Sequence, residues 1–261
     1  MTERFEGKVA FVTGAAIGMG AEHARGIVRE GGSVVIADIR EEAAKRLADS
    51  LGPRAKHVRL DITDEEQWQL AVELAEQLFG RIDILVNNAA VLLTGSIDSE
   101  SPKQYRRILE VNLTGAFLGM RTISPKMRAT RSGCIINIAS VAALVGFPNS
   151  VGYCSAKWGL RGLTKAAALD LAGTGVRVNL VCPGPIDTPM NDVLDSATRQ
   201  ALCGGLPIPR MGSPSEVSRV VLFLASDEAS YCTGGEYSVD GGANLGSTSF
   251  RPQTFETERT G

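Results

Sequence analysis

The stretch Val9-Ala-Phe-Val-Thr13-Gly14-Ala-Ala-Ile17-Gly18-Met19-Gly20 decides the fold. Val9 to Thr13 is a short apolar run, the signature of a buried strand. Three glycines follow, and Ala21 to Glu30 then continues at helical spacing. Strand, glycine turn and helix in this order form a cradle for a pyrophosphate. Glycines let backbone N–H groups approach the phosphates, and the helix N-terminus adds partial positive charge. The spacing is G-x-x-x-G-x-G rather than G-x-G-x-x-G. A merely flexible turn could use the same residues, but the strand before and the helix after favour phosphate binding.

Moving outward, Ser33 to Asp38 reads as a second strand ending in an acid, 18 residues after Gly20. That is close to the ~20 residues expected for a carboxylate that bonds an adenosine ribose. Asp38 could instead cap the next helix, Glu41 to Leu51. The glycine turn favours the ribose role, and with it NAD over NADP, because a carboxylate repels a 2′-phosphate. Ile39 is neutral and the turn holds no basic residue. Arg40 is the one counter-hint: its side chain could reach back, but it is expected to face solvent or the adenine.

Further strands are expected at Lys56–Leu60, Ile82–Val86, Cys134–Ala139, Val176–Val181 and Glu236–Val239. Between them run helices. One is capped by a Thr63-x-x-Glu66 box and runs to about Phe79; one runs from Pro102 to about Met127. Another carries Tyr153 and reaches about Ala172, and a last one starts at Ser213-Pro214-Ser215-Glu216 and ends near Ser226. Alternating strands and helices mean an α/β fold, a single-domain Rossmann-like doubly wound parallel sheet of about seven strands. One domain is expected over residues 1–261. Residues 190–210 read as a substrate flap and 243–261 as a polar C-terminal tail.

Tyr153 and Lys157 are four residues apart, so on a helix they share a face. A free phenol titrates near ~10. Lowering it about three units needs roughly 4 kcal/mol, which one positive charge at ~4 Å supplies at an effective dielectric of ~20. Ser140, at the end of the fifth strand, could hold a carbonyl oxygen beside the phenol. Tyr-x-x-x-Lys alone occurs by chance; its company elsewhere gives it weight.

Composition narrows the classes. With net charge -2 and pI 5.8 there is no general basic footprint for nucleic acid. No apolar stretch of ~18 residues suggests a membrane span, and the N-terminus lacks an apolar secretory core. Five scattered cysteines without a Cys-x-x-Cys pair suit a reduced, cytoplasmic setting. His23 and His57 stand in unrelated segments, so no metal site is expected.

Taken together, Thr13-Gly14-x-x-x-Gly18-x-Gly20, Asp61, Asn87-Asn88-Ala89, Asn112, Ser140, Tyr153-x-x-x-Lys157 and Pro183-Gly184 to Thr188 resemble the classical short-chain dehydrogenase/reductases, from about Gly7 to Gly242. The overall pattern is similar to their bacterial NAD-dependent hydroxysteroid and secondary-alcohol members. The resemblance implies hydride transfer between a nicotinamide cofactor and an alcohol or carbonyl. It implies Tyr153 as acid/base and Lys157 as the group that lowers its pKa and bonds the nicotinamide ribose. Ser140 would hold the substrate oxygen. Asn112 would hold a relay water through a local break in its helix. For the cofactor it implies the Gly14–Gly20 turn with Ile17 and Met19, Asp61 and Ile62 at the adenine, and Asn88 and Ala89 on the adenosine side. Pro183, Gly184, Ile186 and Thr188 would lie toward the nicotinamide. Ala90 departs from the usual Gly. Such enzymes are usually tetramers, sometimes dimers.

Two other functions would leave different marks. A halohydrin-dehalogenase-like lyase would replace the lysine by arginine and lose the glycine turn; a non-catalytic dinucleotide sensor would lose Tyr or Lys. Both sets are present here. The expected pocket wall is apolar: Val91, Leu92, Leu93, Val141 to Val145, and Met190, Val193, Leu194, Leu202 and Leu206 of the flap. This favours a hydrophobic secondary alcohol or ketone, with alicyclic or steroid-like skeletons as plausible cases. Arg199 and Arg210 are the nearby cations that an acidic substrate would need.

Overall fold

The computed structural model describes residues 3–191 and 196–245. Its strands are β1 (Val9–Thr13), β2 (Ser33–Asp38), β3 (Ala55–Arg59), β4 (Ile84–Asn87), β5 (Gly133–Ile138), β6 (Val176–Pro183) and β7 (Glu236–Val239). The helices are α1 (Gly18–Arg29), α2 (Glu41–Leu51), α3 (Glu65–Phe79), α4 (Pro102–Leu109), α5 (Gly115–Thr130), α6 (Val151–Asp170), α7 (Ser196–Gly204) and α8 (Pro214–Ala225).

All seven strands form one parallel sheet in the order β3-β2-β1-β4-β5-β6-β7. Strand side chains alternate between faces. Ala10 and Val12 of β1 pack with Ala24 and Ile27 of α1, Leu47 of α2 and Val221 of α8 in one core layer. Phe11, between them, joins the opposite layer with Trp68 of α3, Ile123 of α5 and Leu171 just past α6. Helices cover both faces, so the central strands are apolar on both sides, as parallel sheets require. The order reverses between β1 and β4, which opens a crevice beyond their carboxyl ends.

Three local readings change. The helix read as continuous from Pro102 carries the local break that the resemblance implied at Asn112: Glu110–Thr114 is a π-turn, with Gly115 N–H bonded to Glu110 O, dividing α4 from α5. The cap of α3 is Asp64, not Thr63. Asp64 accepts from Gln67 N–H at 3.0 Å, while Thr63 Oγ1 donates to Asp61 Oδ1 at 2.8 Å. Arg40 does not face away but reaches back to Asp38. The cap at Ser213 stands, with Pro214 in the first turn and Ser213 N–H bonded to Glu216 Oε2 at 2.7 Å.

Within the expected flap, Pro189–Asn191 is a 3-10 turn and Ser196–Gly204 is helical. Val193 and Leu194 lie outside the described residues, as do 246–261 of the expected tail. All five cysteines are free thiols. No helix among the described residues is long and apolar enough to cross a membrane.

Candidate active site

The glycine turn is built from its backbone outward. Gly14 and Gly18 both have φ of 60°, the left-handed region that favours glycine. Thr13 Oγ1 accepts from Asn88 N–H (3.0 Å) and Ala89 N–H (3.1 Å), and Asn88 Nδ2 donates to Thr13 O (2.9 Å) and Gly14 O (3.1 Å). A side chain at Gly20 would strike Gly14 O and stand 2.6 Å from Asn88 Nδ2. The turn is therefore held rigid against the end of β4 and stripped of side chains where α1 begins.

Beside it lies a cleft of about 450 Å³. It brings together Gly14, Ile17, Gly18 and Met19 with Asp38, Asp61, Ile62, Asn88 and Ala89, and with Thr188 from the segment after β6. Thr188 closes over the turn: a side chain at Gly18 would meet its Cβ at 3.7 Å. Pro183 ends β6 opposite Val239, and Gly184 N–H bonds Val239 O at 3.0 Å. Ile186 bridges to Gly212 and is buried.

The Asp38 carboxylate is almost wholly buried, with its side chain 2% exposed. Ala16 N–H of the glycine turn donates to its Oδ2 at 3.0 Å, and Arg40 donates from its backbone N–H (3.0 Å) and Nε (3.1 Å) to Oδ1. This end of the cleft thus carries a buried carboxylate with a guanidinium fixed beside it. Asp61 Oδ1 accepts from Thr63 N–H at 3.0 Å, which shapes the turn that presents Ile62.

A dinucleotide fits this construction. Backbone donors open on a helix N-terminus, side chains are excluded where a pyrophosphate would pass, and a carboxylate stands one strand away. Such a group supplies the hydride acceptor or donor.

The catalytic candidates gather at the carboxyl end of β5, with Ser140 just past it and Tyr153 and Lys157 on α6. Lys157 is 2% exposed, and its Nζ donates to Ile138 O at 2.9 Å. The same nitrogen lies 5.6 Å from the centre of the Tyr153 ring, so the two side chains do share one face of α6. Burial lowers the lysine to about 8. Burial also pushes the Tyr153 phenol up to about 12, opposed by a hydrogen bond with Ser140. The expected depression of the phenol by Lys157 does not develop here. The ammonium points to a carbonyl rather than the phenol oxygen, and desolvation of the phenolate wins. Ser140 Oγ also accepts from Ala142 N–H at 3.1 Å, which fixes the hydroxyl at the strand end.

Asn112 sits inside the π-turn and is 2% exposed. Its amide grips both backbone groups of Val91, accepting at 3.2 Å and donating at 2.9 Å, and donates to Ile108 O at 3.0 Å. Both amide hydrogens are committed. The side chain therefore braces the Val91 wall of the cleft, and a relay water would have to meet the main chain. Wide turns of this kind recur at functional sites because they leave backbone carbonyls without helical partners.

A buried amide ladder supports the site and is not visible in the sequence. Asn87 Nδ2 donates to Asn137 Oδ1 (2.8 Å), and Asn137 Nδ2 donates to Thr164 Oγ1 (2.9 Å), linking β4, β5 and α6 two turns below Lys157. No local spacing signals it, because its members are far apart in the chain.

The doubly wound sheet and its cleft define the class, an oxidoreductase that uses a nicotinamide cofactor. A family model described as enoyl-(acyl carrier protein) reductase matches residues 14–244. The chain is 45% identical over 246 residues to a 3-alpha-(or 20-beta)-hydroxysteroid dehydrogenase of Mycobacterium tuberculosis, covering 94% of this chain and 93% of that one. It is 43% identical to a trans-4-hydroxycyclohexanecarboxylate dehydrogenase of Sinomonas cyclohexanicum (94% and 96% covered). It is 41% identical to a cyclopentanol dehydrogenase of Comamonas testosteroni (92% and 98% covered). The chain belongs to the short-chain dehydrogenase/reductase family.

Proposed function

We propose that the chain is an NAD(H)-dependent dehydrogenase of neutral, hydrophobic secondary alcohols, with alicyclic rings as the favoured skeleton. The observation that carries the reading is the pairing of Tyr153 and Lys157 on one face of α6 beside Ser140. In ketone reduction the Tyr153 phenol gives its proton to the substrate oxygen, and in alcohol oxidation the phenolate takes it. Ser140 orients that oxygen. Lys157 supplies positive charge behind the ring and, with the cofactor present, would bond the nicotinamide ribose. A water relaying protons to the lysine would meet the main chain of the π-turn that Asn112 braces.

Neutral substrates are favoured because the flap arginines are already engaged. Arg199 pairs with Asp187 at 3.3 Å, and Arg210 makes a two-pronged pair with Glu216 at 2.9 and 2.7 Å. A carboxylate substrate would have to displace one of these. The named relatives act on steroid, cyclopentanol and hydroxycyclohexanecarboxylate substrates. Only the last carries an acid. In a series from cyclopentanol to decalinols, set against trans-4-hydroxycyclohexanecarboxylate and sugar alcohols, kcat/KM should rise with ring size. Each ~100 Å² of apolar surface buried contributes roughly 2.5 kcal/mol until the pocket is full. Higher efficiency with the acid or the sugar alcohols would refute the reading.

For the cofactor, the buried Asp38 carboxylate favours the ribose 2′-OH of NAD. Arg40 tempers this, since its guanidinium lies within reach of a 2′-phosphate but is held by Asp38. NAD should give at least ~10-fold higher kcat/KM than NADP, the effect of about 1.4 kcal/mol. Asp38→Ser should narrow or invert that ratio, since it releases Arg40. Equal efficiency with both cofactors in the wild type would sink the assignment.

We further propose a homo-oligomer, tetramer or dimer, in the cytoplasm. Phe117 of α5 and Trp158 of α6 are 44% and 46% exposed, large apolar groups that a second copy would cover. The unpaired thiols suit a reducing compartment. The 190–210 segment is assigned as the substrate flap of a single 1–261 domain.

A further inference from the structure

Glu100 has no part in the chemistry above, yet its carboxylate is placed against the catalytic helix. Oε2 accepts from Gly152 N–H at 2.9 Å, one residue before Tyr153. Oε1 is buried with no hydrogen-bond partner among the described residues. A buried carboxylate oxygen left unpaired is costly, so its position needs a cause.

The cause lies at the start of α6. The first N–H groups of a helix have no partner within the helix, and a side chain at the cap normally serves one of them. Ser150 occupies the cap but makes no capping bond, its hydroxyl donating instead to Pro148 O at 3.3 Å. Glu100 performs that service from 52 residues away, and its negative charge suits a helix N-terminus. Two further features lock the same junction. Gly95 N–H bonds Asn149 O at 2.9 Å, and Gly95 bridges to Ser150. A methyl group at Gly152 would collide with Glu100 Oε1 and stand 3.0 Å from Ile108 Cδ1.

Glu100 also begins a strut. Ser101, the next residue, caps α4 by accepting from Gln104 N–H at 3.2 Å. Near the far end of α4, Ile108 O receives Asn112 Nδ2 at 3.0 Å. One end of α4 is therefore fastened to the first turn of α6, and the other delivers Asn112. We infer that Glu100 is a positioning residue: it clamps α4 to the first turn of α6 and so fixes Tyr153 relative to Asn112 and the Val91–Gly95 wall. The inference rests on Tyr153 as proton donor.

The test uses Glu100→Ala, Glu100→Gln, Gly152→Ala and the Glu100→Ala/Gly152→Ala double variant. Each is followed by kcat, KM, NADH affinity by fluorescence, and thermal melting. Misplacement by about 1 Å can cost ~10²-fold, so Glu100→Ala should lose at least ~10-fold in kcat while NADH affinity stays within about twofold. Glu100→Gln keeps an oxygen for Gly152 N–H and should restore kcat to within about threefold of wild type. Gly152→Ala should lose kcat like Glu100→Ala, and adding Glu100→Ala should relieve the collision, so that the double variant is no worse than Glu100→Ala alone. Wild-type kcat in Glu100→Ala would overturn the inference. So would equal losses in Glu100→Ala and Glu100→Gln, or penalties that multiply in the double variant. Should Glu100→Ala not fold, Glu100→Asp retracts the carboxylate by one methylene; wild-type kcat there would overturn the inference equally. Failure of the proton-donor reading appears separately, as retained turnover in Tyr153→Phe.

Discussion

Replacing Tyr153 by Phe should lower turnover at least ~10²-fold and leave NADH affinity nearly unchanged, since general acid–base catalysis contributes that much and the ring is kept. The variant removes one oxygen from a site whose other members stay in place. Ser140 remains fixed by Ala142 N–H, and Lys157 by Ile138 O. Lys157→Ala should behave differently. It removes the charge behind the phenol and leaves the buried Ile138 carbonyl without its donor, so turnover, cofactor affinity and stability should all fall. The pH dependence follows from the phenol. With Tyr153 near 12, the protonated donor for ketone reduction is fully present at neutral pH. The phenolate needed for alcohol oxidation grows about tenfold per pH unit below that value. Oxidation should therefore climb with pH while reduction stays level. A Tyr153→Phe enzyme with most of its turnover, or an unchanged oxidation profile, would dismiss the proposed proton path.

What the sequence made legible was local. Ser33–Asp38 lies where the apolar pattern put it, because a strand buried on both faces is read from its own residues. The α8 cap was visible because Ser213, Pro214 and Glu216 interact within one turn. At α3 the Thr63 signal misled, because Asp61 engages the Thr63 side chain and Asp64 caps the helix instead. The split of the Pro102 helix left no mark in hydrophobic spacing, since a π-turn adds one residue to a turn without changing what is buried. The longest-range contacts were invisible for another reason. Glu100 with Gly152, and Asn87 with Asn137 and Thr164, are joined by topology, and no spacing along one element can announce such partners. Arg40 shows the same limit at short range. Whether it faced solvent or returned to Asp38 depended on a buried carboxylate needing donors.

Gly14→Ala should abolish dinucleotide binding or weaken it at least ~100-fold, the equivalent of about 2.8 kcal/mol. Two costs add. Gly14 has φ of 60°, and a left-handed backbone costs an L-residue roughly 1–2 kcal/mol. The new Cβ would also stand 2.7 Å from Ala89 Cα and 3.1 Å from Ala89 N. Those are backbone atoms, tied to Thr13 Oγ1, and they cannot swing aside. Overpacking of this kind typically costs ~1–3 kcal/mol. The cheapest relief is for the turn to leave β4, and that dismantles the cradle its N–H groups form. Gly18→Ala supplies the control. Its φ is also 60°, but the added carbon would find Thr188 at 3.7 Å, an ordinary contact. It should therefore weaken binding only about tenfold, the backbone cost alone. NADH titration by fluorescence, with melting curves to separate lost folding from lost affinity, measures both. If Gly18→Ala proved the more damaging, tolerance at this turn would be set by something other than the approach of the Asn88–Ala89 backbone, and the pyrophosphate cradle would have to be redrawn around Thr188.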